Sequence, residues 1–198
     1  MFKFKILFLC VFSFSVSKAQ LLDSLSLDTL TAITNLQEAL KNPDAVIKLV
    51  LRKQHLKSFP MEVLKFKNLQ YLDISKNTIK ELPDSIGLLS NLQYFACSKT
   101  GLETVNKHIG KLVNLTYLNF NQNDLISLPP QIGNLEKLRI FDLWSNNLDD
   151  FPATLTNLTS LNVLDLRNIL MSDDLQKHLK DMLPKATVYF SPSCKCKW

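Results

Sequence analysis

The sequence has few of the residues and motifs on which enzymes depend. It contains only four glycines, and none belongs to a phosphate-binding loop. It has no zinc motif of the His-Glu-x-x-His type and no nucleophile elbow. Its three histidines, His55, His108 and His178, fall on different faces of the repeated coil described below. We therefore predict a protein that is not an enzyme and that has no cofactor and no metal site.

Long hydrophobic runs are also missing. A membrane-spanning helix takes roughly 20 apolar residues, and the longest apolar run, Ile6–Phe14, broken only by Ser13, is much shorter. It follows a basic start and precedes Ser17 and Ala19, which are spaced as the −3 and −1 residues of a cleavage site. This order is typical of a secretory signal peptide. We predict a signal peptide over 1–19, no membrane span, and export to the bacterial periplasm, the cell surface or the medium.

Net charge is low once this leader is removed. The whole chain carries +5, and Lys3, Lys5 and Lys18 account for three of these charges, which leaves +2. So small a charge gives no reason to expect a nucleic acid partner. The remaining chain of about 180 residues has the length of one domain, and we expect a monomer.

Cysteines are scarce, and three remain after the leader: Cys97, Cys194 and Cys196. Cys97 occupies an apolar repeat position, which predicts a small buried hydrophobic residue. The other two lie in a tail, residues 191–198. A disulfide between them would close a small, strained ring. We expect a loose tail, with mixed disulfides, redox chemistry or metal binding as the alternatives.

A repeated unit of 23 residues makes up most of the chain. Five units follow one another without a gap and a truncated sixth closes the series, with first residues at Val46, Leu69, Leu92, Leu115, Leu138 and Leu161. Apolar residues recur at positions 1, 4, 6, 11, 14, 18 and 21 of the unit. Positions 3 to 7 alternate as in a half-buried strand. A period of this length predicts a solenoid, in which each coil buries its apolar side against its neighbours.

Two polar or turn-forming positions also recur. Position 9 is an amide in four of the five full units, as Gln54, Asn77, Asn123 and Asn146, and is Thr100 in the third. We expect this side chain to be buried and to join one coil to the next through main-chain hydrogen bonds. Position 15 is proline in the same four units and Asn106 in the third. Proline there suits a return path with a short helical turn on the outer side.

The pattern LxxLxLxxNxLxxLPxxIgxLxx resembles the 23-residue class of leucine-rich repeat proteins, which includes Ras-suppressor-like, Scribble-like and bacterial secreted proteins. The resemblance covers residues 46–170. It implies an α/β fold: a right-handed α/β horseshoe, with a concave parallel β-sheet and short convex helical turns. It also implies use of that surface for protein–protein contact.

Both ends of the array carry segments that can cap it. At the front, residues 20–45 contain a short helix with Thr34 as its predicted N-cap. At the back, residues 171–190 contain a helix that begins after Ser172 and a final strand from Ala186 to Phe190. Such caps are needed because terminal coils would otherwise expose their apolar sides.

The repeat does not dictate its outward strand positions, so these are the candidate binding surface. We select a central group of aromatic and acidic side chains, Tyr71, Tyr94, Tyr117, Asp142 and Trp144, and a lysine rim, Lys53, Lys76 and Lys99. The tyrosines should stack because coils lie about 5 Å apart, and Tyr and Trp are favoured in binding hot spots. The alternatives are tyrosines that only pack on one another and lysines that only face water.

The sequence therefore predicts a secreted, non-catalytic module that binds another protein through its concave face. A second hypothesis is a protein that binds carbohydrate or a surface polymer, because Tyr and Trp beside Asp and Asn also suit sugar rings. A third is a structural protein held in place by its tail cysteines.

Overall fold

A single parallel sheet runs through the part of the chain described by the computed structural model, residues 20–192. Its strands are hydrogen-bonded in chain order. They are β1 (Lys48–Val50), β2 (Tyr71–Asp73), β3 (Tyr94–Ala96), β4 (Tyr117–Asn119), β5 (Ile140–Asp142), β6 (Val163–Leu166) and β7 (Thr187–Phe190). The first six begin at position 3 of successive repeat units, and equivalent positions pair directly. The predicted signal peptide and the two tail cysteines, Cys194 and Cys196, lie outside the described residues.

Short helices form the other side of each coil. A 3-10 helix precedes β1, and one follows each of β1 to β5: Pro43–Ala45, Met61–Lys65, Asp84–Leu88, Lys107–Lys111, Pro130–Asn134 and Ala153–Asn157. Three α-helices lie outside the repeats, α1 (Ser24–Thr29), α2 (Leu36–Ala39) and α3 (Asp173–Met182). The α/β solenoid predicted from the sequence is therefore confirmed. None of the helices in residues 20–192 has the length and apolar composition needed to cross a membrane.

The core lies between the sheet and the short helices. Leu118, Phe120 and Ile132 of the fourth unit are fully buried, as the repeat pattern predicts. Phe120 meets Phe95 of the preceding unit edge to face, with ring centroids 5.7 Å apart. The burial predicted for Cys97 is confirmed, and it raises the pKa of the thiol to about 12.

Buried asparagines at position 9 join the coils. Oδ1 of Asn123 accepts hydrogen bonds from Thr100 N at 2.9 Å and Leu102 N at 3.1 Å, both in the preceding coil. Its Nδ2 donates to Cys97 O and Phe120 O, at 2.8 and 2.9 Å. Because these main-chain groups lie where the strands end, they have no partners within the sheet. The predicted burial and bridging role of position 9 is confirmed for the three asparagines, Asn77, Asn123 and Asn146, and burial is wrong for Gln54 of the first unit, which is exposed.

Position 8, the residue before the position-9 side chain, has left-handed backbone geometry in every unit. The φ angles lie between 53° and 59° at six non-glycine residues: Lys53, Lys76, Lys99, Gln122, Ser145 and Asn168. A side chain is uncommon in this region because its Cβ crowds the backbone. The turn out of each strand is therefore made without glycine at this position.

The outer sides of neighbouring coils approach closely at two glycines. A Cβ added to Gly133 would meet the carbonyl oxygen and Cβ of Thr154 in the next coil, and one added to Gly110 would meet the same atoms of Gln131. Hydrogen at these positions lets the 3-10 helices pack against one another. The spacing of the convex side thus depends on residues without a side chain.

The N-terminal cap differs from the sequence prediction by one residue. The N-cap of α2 is Asn35, whose Oδ1 accepts from Glu38 N at 3.0 Å, and not Thr34. The reason is that Ile33 pairs with Leu49 as an isolated parallel bridge, so the chain stays extended longer. At the other end, the predicted N-cap Ser172 of α3 is confirmed, since its Oγ accepts from Leu175 N at 3.2 Å.

Candidate functional site

The three tyrosines of β2, β3 and β4 form a stack on the concave face, which we call the tyrosine ladder. The ring centroids of Tyr71 and Tyr94 are 3.9 Å apart, and those of Tyr94 and Tyr117 are 4.3 Å apart. In each pair the two ring planes make an angle of 3°, so the rings are parallel. The Nζ of Lys48 lies 4.6 Å from the centroid of Tyr71 and closes one end of the stack. The predicted stacking is present, and the rings remain half-buried.

Desolvation governs the chemistry of the ladder. Burial raises the pKa of the Tyr71 and Tyr94 phenols above the ordinary value, so both hydroxyls are neutral at physiological pH. Neutral phenols offer a donor and an acceptor at the end of a flat apolar ring. The ladder can therefore contact both apolar and polar groups of a ligand.

Asp142 and Trp144 lie further along the same face, and both are half-buried. Oδ2 of Asp142 accepts from Asn121 Nδ2 at 2.6 Å, and Oδ1 accepts from Trp144 N at 3.1 Å. Desolvation raises the pKa of the Asp142 carboxyl. This carboxylate thus holds the turn that presents the Trp144 indole, in addition to any contact with a ligand.

The contact between Asp142 and Trp144 belongs to a series that the sequence analysis did not identify. An Asp or Asn at position 5 accepts from the main-chain N–H at position 7 in four units: Asp73 from Ser75, Asn119 from Asn121, Asp142 from Trp144, and Asp165 from Arg167. The recurrence of Asp or Asn two residues before the turn was the available signal. Outward polar residues of this kind stabilise strand ends.

Outward positions in the second and third units are less open than the repeat pattern predicts. Ser75 and Ser98 at position 7 are 0% and 8% exposed, and Asp73 and Ala96 at position 5 are 6% and 3% exposed. These side chains are short, and Ser75 Oγ also accepts from Ser98 N at 3.1 Å. The alternation of positions 3 to 7 predicts that position 7 faces outward and is exposed, and the predicted exposure is wrong for these two units. The accessible part of the inner face therefore lies along the tyrosines, at Arg52 in the first unit, and in the fourth to sixth units.

The predicted lysine rim, Lys53, Lys76 and Lys99, is exposed at the turn that follows the strands. Positive charge from Arg52, and then from Lys53 and Lys99, lowers the pKa of the Lys76 ammonium group. The rim is thus a positively charged edge. It is separated from the tyrosine ladder by five residues of nearly extended chain, or roughly 16 Å, so the two groups border opposite sides of the concave face.

The opposite edge carries a contact that sequence reasoning missed. The N-terminal segment Gln20–Thr29 lies against the starts of the strands, where Leu22 N donates to Gln70 Oε1 at 2.8 Å. Between this segment, the tyrosine ladder and Arg139 is a groove of about 660 Å³. The segment has no repeat pattern, so the only signal was a pair of polar residues at position 2, Gln70 and Gln93.

The site offers flat aromatic surfaces, amides and charges of both signs. Within residues 20–192, no group of three or more His, Cys, Asp or Glu side chains is arranged to hold a metal ion. The chemistry of the described residues on this face suits non-covalent recognition.

The stacked coils and the single parallel sheet define a solenoid repeat protein, and the outward side chains of its sheet form the candidate binding surface. A family model described as a leucine-rich repeat region matches residues 97–183, and a model of a single leucine-rich repeat matches residues 68–89. The chain is a leucine-rich repeat protein. Proteins of this family are typically non-catalytic, and the fold suggests a protein-interaction module. No curated protein matched the sequence.

Several solved structures share the fold. A leucine-rich repeat protein of Leptospira interrogans is 28% identical, with a TM-score of 0.64 over 83% of this chain and 49% of that protein. The GASSHO1/SCHENGEN3 receptor kinase ectodomain of Arabidopsis thaliana, in complex with CASPARIAN STRIP INTEGRITY FACTOR 2, is 24% identical, with a TM-score of 0.63 over 82% of this chain and 20% of the receptor. The plant peptide hormone receptor RGFR1, in complex with RGF2, is 26% identical, with a TM-score of 0.54 over 72% and 21%. This chain thus spans half or less of each.

Proposed function

We propose that this protein is exported and binds another protein, without catalysis, through its concave face. The observation that carries the proposal is the tyrosine ladder, three parallel rings stacked 3.9 and 4.3 Å apart on the inner surface. The central residues are Tyr71, Tyr94, Tyr117, Asp142 and Trp144. The lysine rim lies at the far ends of the strands, across the concave face from the tyrosine ladder.

The ladder suits binding because its side chains are already ordered. A tyrosine has two side-chain torsions, and stacking in register restricts both, so little conformational entropy remains to be lost on association. Each ring offers an apolar edge and a hydroxyl group to a partner. Solved structures of this fold include a peptide hormone receptor in complex with RGF2, which supports a polypeptide partner for this chain.

Affinity capture from envelope and surface extract of the source cell tests the proposal. The mature protein is compared with a variant carrying Tyr94→Ala, Tyr117→Ala and Trp144→Ala. A matched control carries Met61→Ala and Leu88→Ala, two residues of the convex helices that are 54% and 67% exposed. We expect one protein to be retained by the unaltered chain and by the control, and lost from the concave variant. Equal retention by all three, with the variants folded, would contradict concave-face binding.

A glycan is the second candidate ligand, favoured by one observation. The Asp142 carboxylate accepts from Asn121 Nδ2 at 2.6 Å and from the main-chain N–H of Trp144 at 3.1 Å, and a tryptophan held next to such hydrogen-bonding groups suits a sugar. Removing glycans from the captured material separates the two. Retention that survives deglycosylation supports a protein surface, and retention that disappears supports the glycan.

Export is tested separately, by sequencing the N-terminus of the protein recovered from the medium and the envelope. We expect a chain that begins at Gln20. Recovery of the full-length chain from the cytoplasm alone would contradict export.

A further inference from the structure

The N-terminal segment Gln20–Thr29 begins with a short non-helical stretch, ahead of α1, whose main chain is bound to the edge of the concave face as an extended peptide ligand would be. Gln70 Nε2 donates to Gln20 O at 3.2 Å, and Gln70 Oε1 accepts from Leu22 N at 2.8 Å. One side-chain amide therefore takes the carbonyl and the N–H on either side of Leu21, as a neighbouring strand residue would. Gln93 Nε2 donates to Leu22 O at 2.9 Å and continues the contact.

Side chains bind the segment because the main-chain groups at position 2 are already hydrogen-bonded between coils. The carbonyl oxygens of Gln70, Gln93 and Thr116 each accept two N–H groups from the next coil. A segment crossing the strand starts must be held by side-chain amides. Gln70 is 1% exposed, and its Oε1 also accepts from Gln93 Nε2 at 2.9 Å, which fixes the orientation of both amides.

The same edge continues beyond the part that the segment covers. Position 2 carries Thr116 and Arg139 in the next two coils, and both line the groove of about 660 Å³. In the first five units, positions 2 and 3 include Lys48 and Arg139 and no acidic residue. One wall of this groove is the segment itself, with its two aspartates, and the sheet side adds apolar surface from Tyr94, Tyr117 and Ile140. Once the segment leaves, the sheet side alone remains, and its apolar surface and positive charge favour a ligand segment that is apolar and acidic.

The chain's own segment has this composition and is weakly anchored. Its sequence from Leu21 to Leu30 contains five leucines and two aspartates. Lys48 Nζ donates to Leu27 O at 3.1 Å and to Asp28 O at 2.8 Å. Only Leu27 is buried within α1, while Leu25 is 73% exposed. A segment with so little buried apolar surface can open without unfolding the repeats.

We propose that Gln70, Gln93, Thr116 and Arg139, which we call the edge row, bind an extended apolar and acidic segment of the partner protein. Gln20–Thr29 occupies the first part of this row in the free protein and is displaced when the partner binds. This inference rests on the proposed function. It adds the kind of polypeptide that is bound, and it makes the chain's own N-terminal segment a competitor that regulates this binding. The glutamines recognise main-chain groups, so they set the extended conformation, and Arg139 and Lys48 select the acidic side chains.

A labelled peptide with the sequence of residues 20–30 serves as the probe, measured by fluorescence anisotropy against the full mature protein. A released variant carries Leu22→Pro, which removes the N–H bonded to Gln70, and Leu27→Asp, which charges the buried residue of α1. We expect the released variant to bind the peptide about tenfold or more tightly than the unaltered protein does, because its own segment no longer competes. Adding Gln93→Met should abolish this gain, while adding Gln131→Met on the convex side should not.

Equal binding with and without Gln93→Met, or no binding by a released variant whose repeats melt normally, would overturn the proposal. Hydrogen exchange on the unaltered protein gives an independent test that needs no substitution. The amides of Leu22, Leu27 and Leu30 should exchange about 100-fold or more faster than those of Phe120 and Leu143. Equal rates would mean that the segment opens only with the whole array, and would also overturn it. Neither test uses the natural partner, so the concave-face proposal stands or falls separately.

Discussion

Replacing Asn123 by alanine should destabilise the array much more than replacing Asn121, although the two residues are only two positions apart. The Asn123 side chain is 6% exposed and its Oδ1 accepts from the main-chain N–H groups of Thr100 and Leu102. Asn121 is half-buried, and its side chain donates once, to Asp142 Oδ2 at 2.6 Å. The number of buried groups left without a partner therefore decides the difference.

The magnitude follows from what each deletion leaves behind. Without Asn123, the Thr100 hydroxyl, which donates to Asn123 Oδ1 at 3.0 Å, can turn to the carbonyl of Cys97 at 3.5 Å, and the carbonyl of Phe120 still accepts from Asn146 Nδ2. The two N–H groups of Thr100 and Leu102 lose their acceptor, and each buried unpaired donor costs about 1–3 kcal/mol. With partial access of water to the new space, we expect a loss of roughly 2–4 kcal/mol for Asn123→Ala and below about 1 kcal/mol for Asn121→Ala.

Urea unfolding followed by far-UV circular dichroism measures this difference. The midpoints are compared at a constant slope, since a changed slope would mean a changed denatured state or an intermediate. Asn146→Ala is a graded control, because its Oδ1 accepts from one N–H, that of Leu125, at 3.2 Å. Its effect should fall between the other two. Equal midpoints for the Asn123 and Asn121 variants would refute the assignment of position 9 to the interior.

Three further predictions concern stability. Leu118→Ala should lower the free energy of unfolding by about 2–5 kcal/mol, since this leucine is fully buried; a loss below about 1 kcal/mol by urea titration would contradict its position. Gly133→Ala should lower the melting temperature, because the new Cβ would meet the carbonyl oxygen of Thr154. The control substitution Ser127→Ala, at an exposed residue, should have little effect. Asp142→Asn should gain stability relative to the unaltered protein as the pH rises from 3 to 7. The raised pKa of Asp142 means that the folded state binds the proton of this carboxyl more tightly than the unfolded state does. Ionisation of Asp142 therefore lowers the free energy of unfolding as the pH rises above about 4. A constant difference between the two chains across this pH range would contradict the desolvation of Asp142.

The repeat itself was predictable because one short pattern repeats many times. Leu118 and Asn123 each recur at a fixed spacing, so several independent copies support the same assignment of interior positions. The stacking of Tyr71, Tyr94 and Tyr117 followed from that assignment and the distance between strands. Local errors arose where no second copy existed, as at Asn35, whose capping role depends on the bridge between Ile33 and Leu49.

The edge contact could not be predicted in this way. The hydrogen bond from Leu22 N to Gln70 Oε1 joins residues 48 apart in the sequence. Nothing periodic in Gln20–Thr29 indicates which side of the solenoid it covers. The burial of Ser75 and Ser98 was missed for a related reason: alternation gives the direction of a side chain, while the size of its neighbours decides how much water reaches it.

The left-handed turns at position 8 make the lysine rim a convenient target for protein engineering. Lys53, Lys76 and Lys99 have φ angles of 59°, 58° and 53°, a conformation that costs a residue other than glycine or asparagine about 1 kcal/mol. The corresponding residue of the sixth unit is already asparagine, Asn168, at 57°. Substituting asparagine for the three lysines would therefore remove three positive charges and relieve backbone strain together. When a charge-neutralising substitution also destabilises a protein, weaker binding cannot be assigned to the lost charge. Here the substitutions should weaken binding to an acidic ligand and raise the stability of the fold, so the two effects can be told apart.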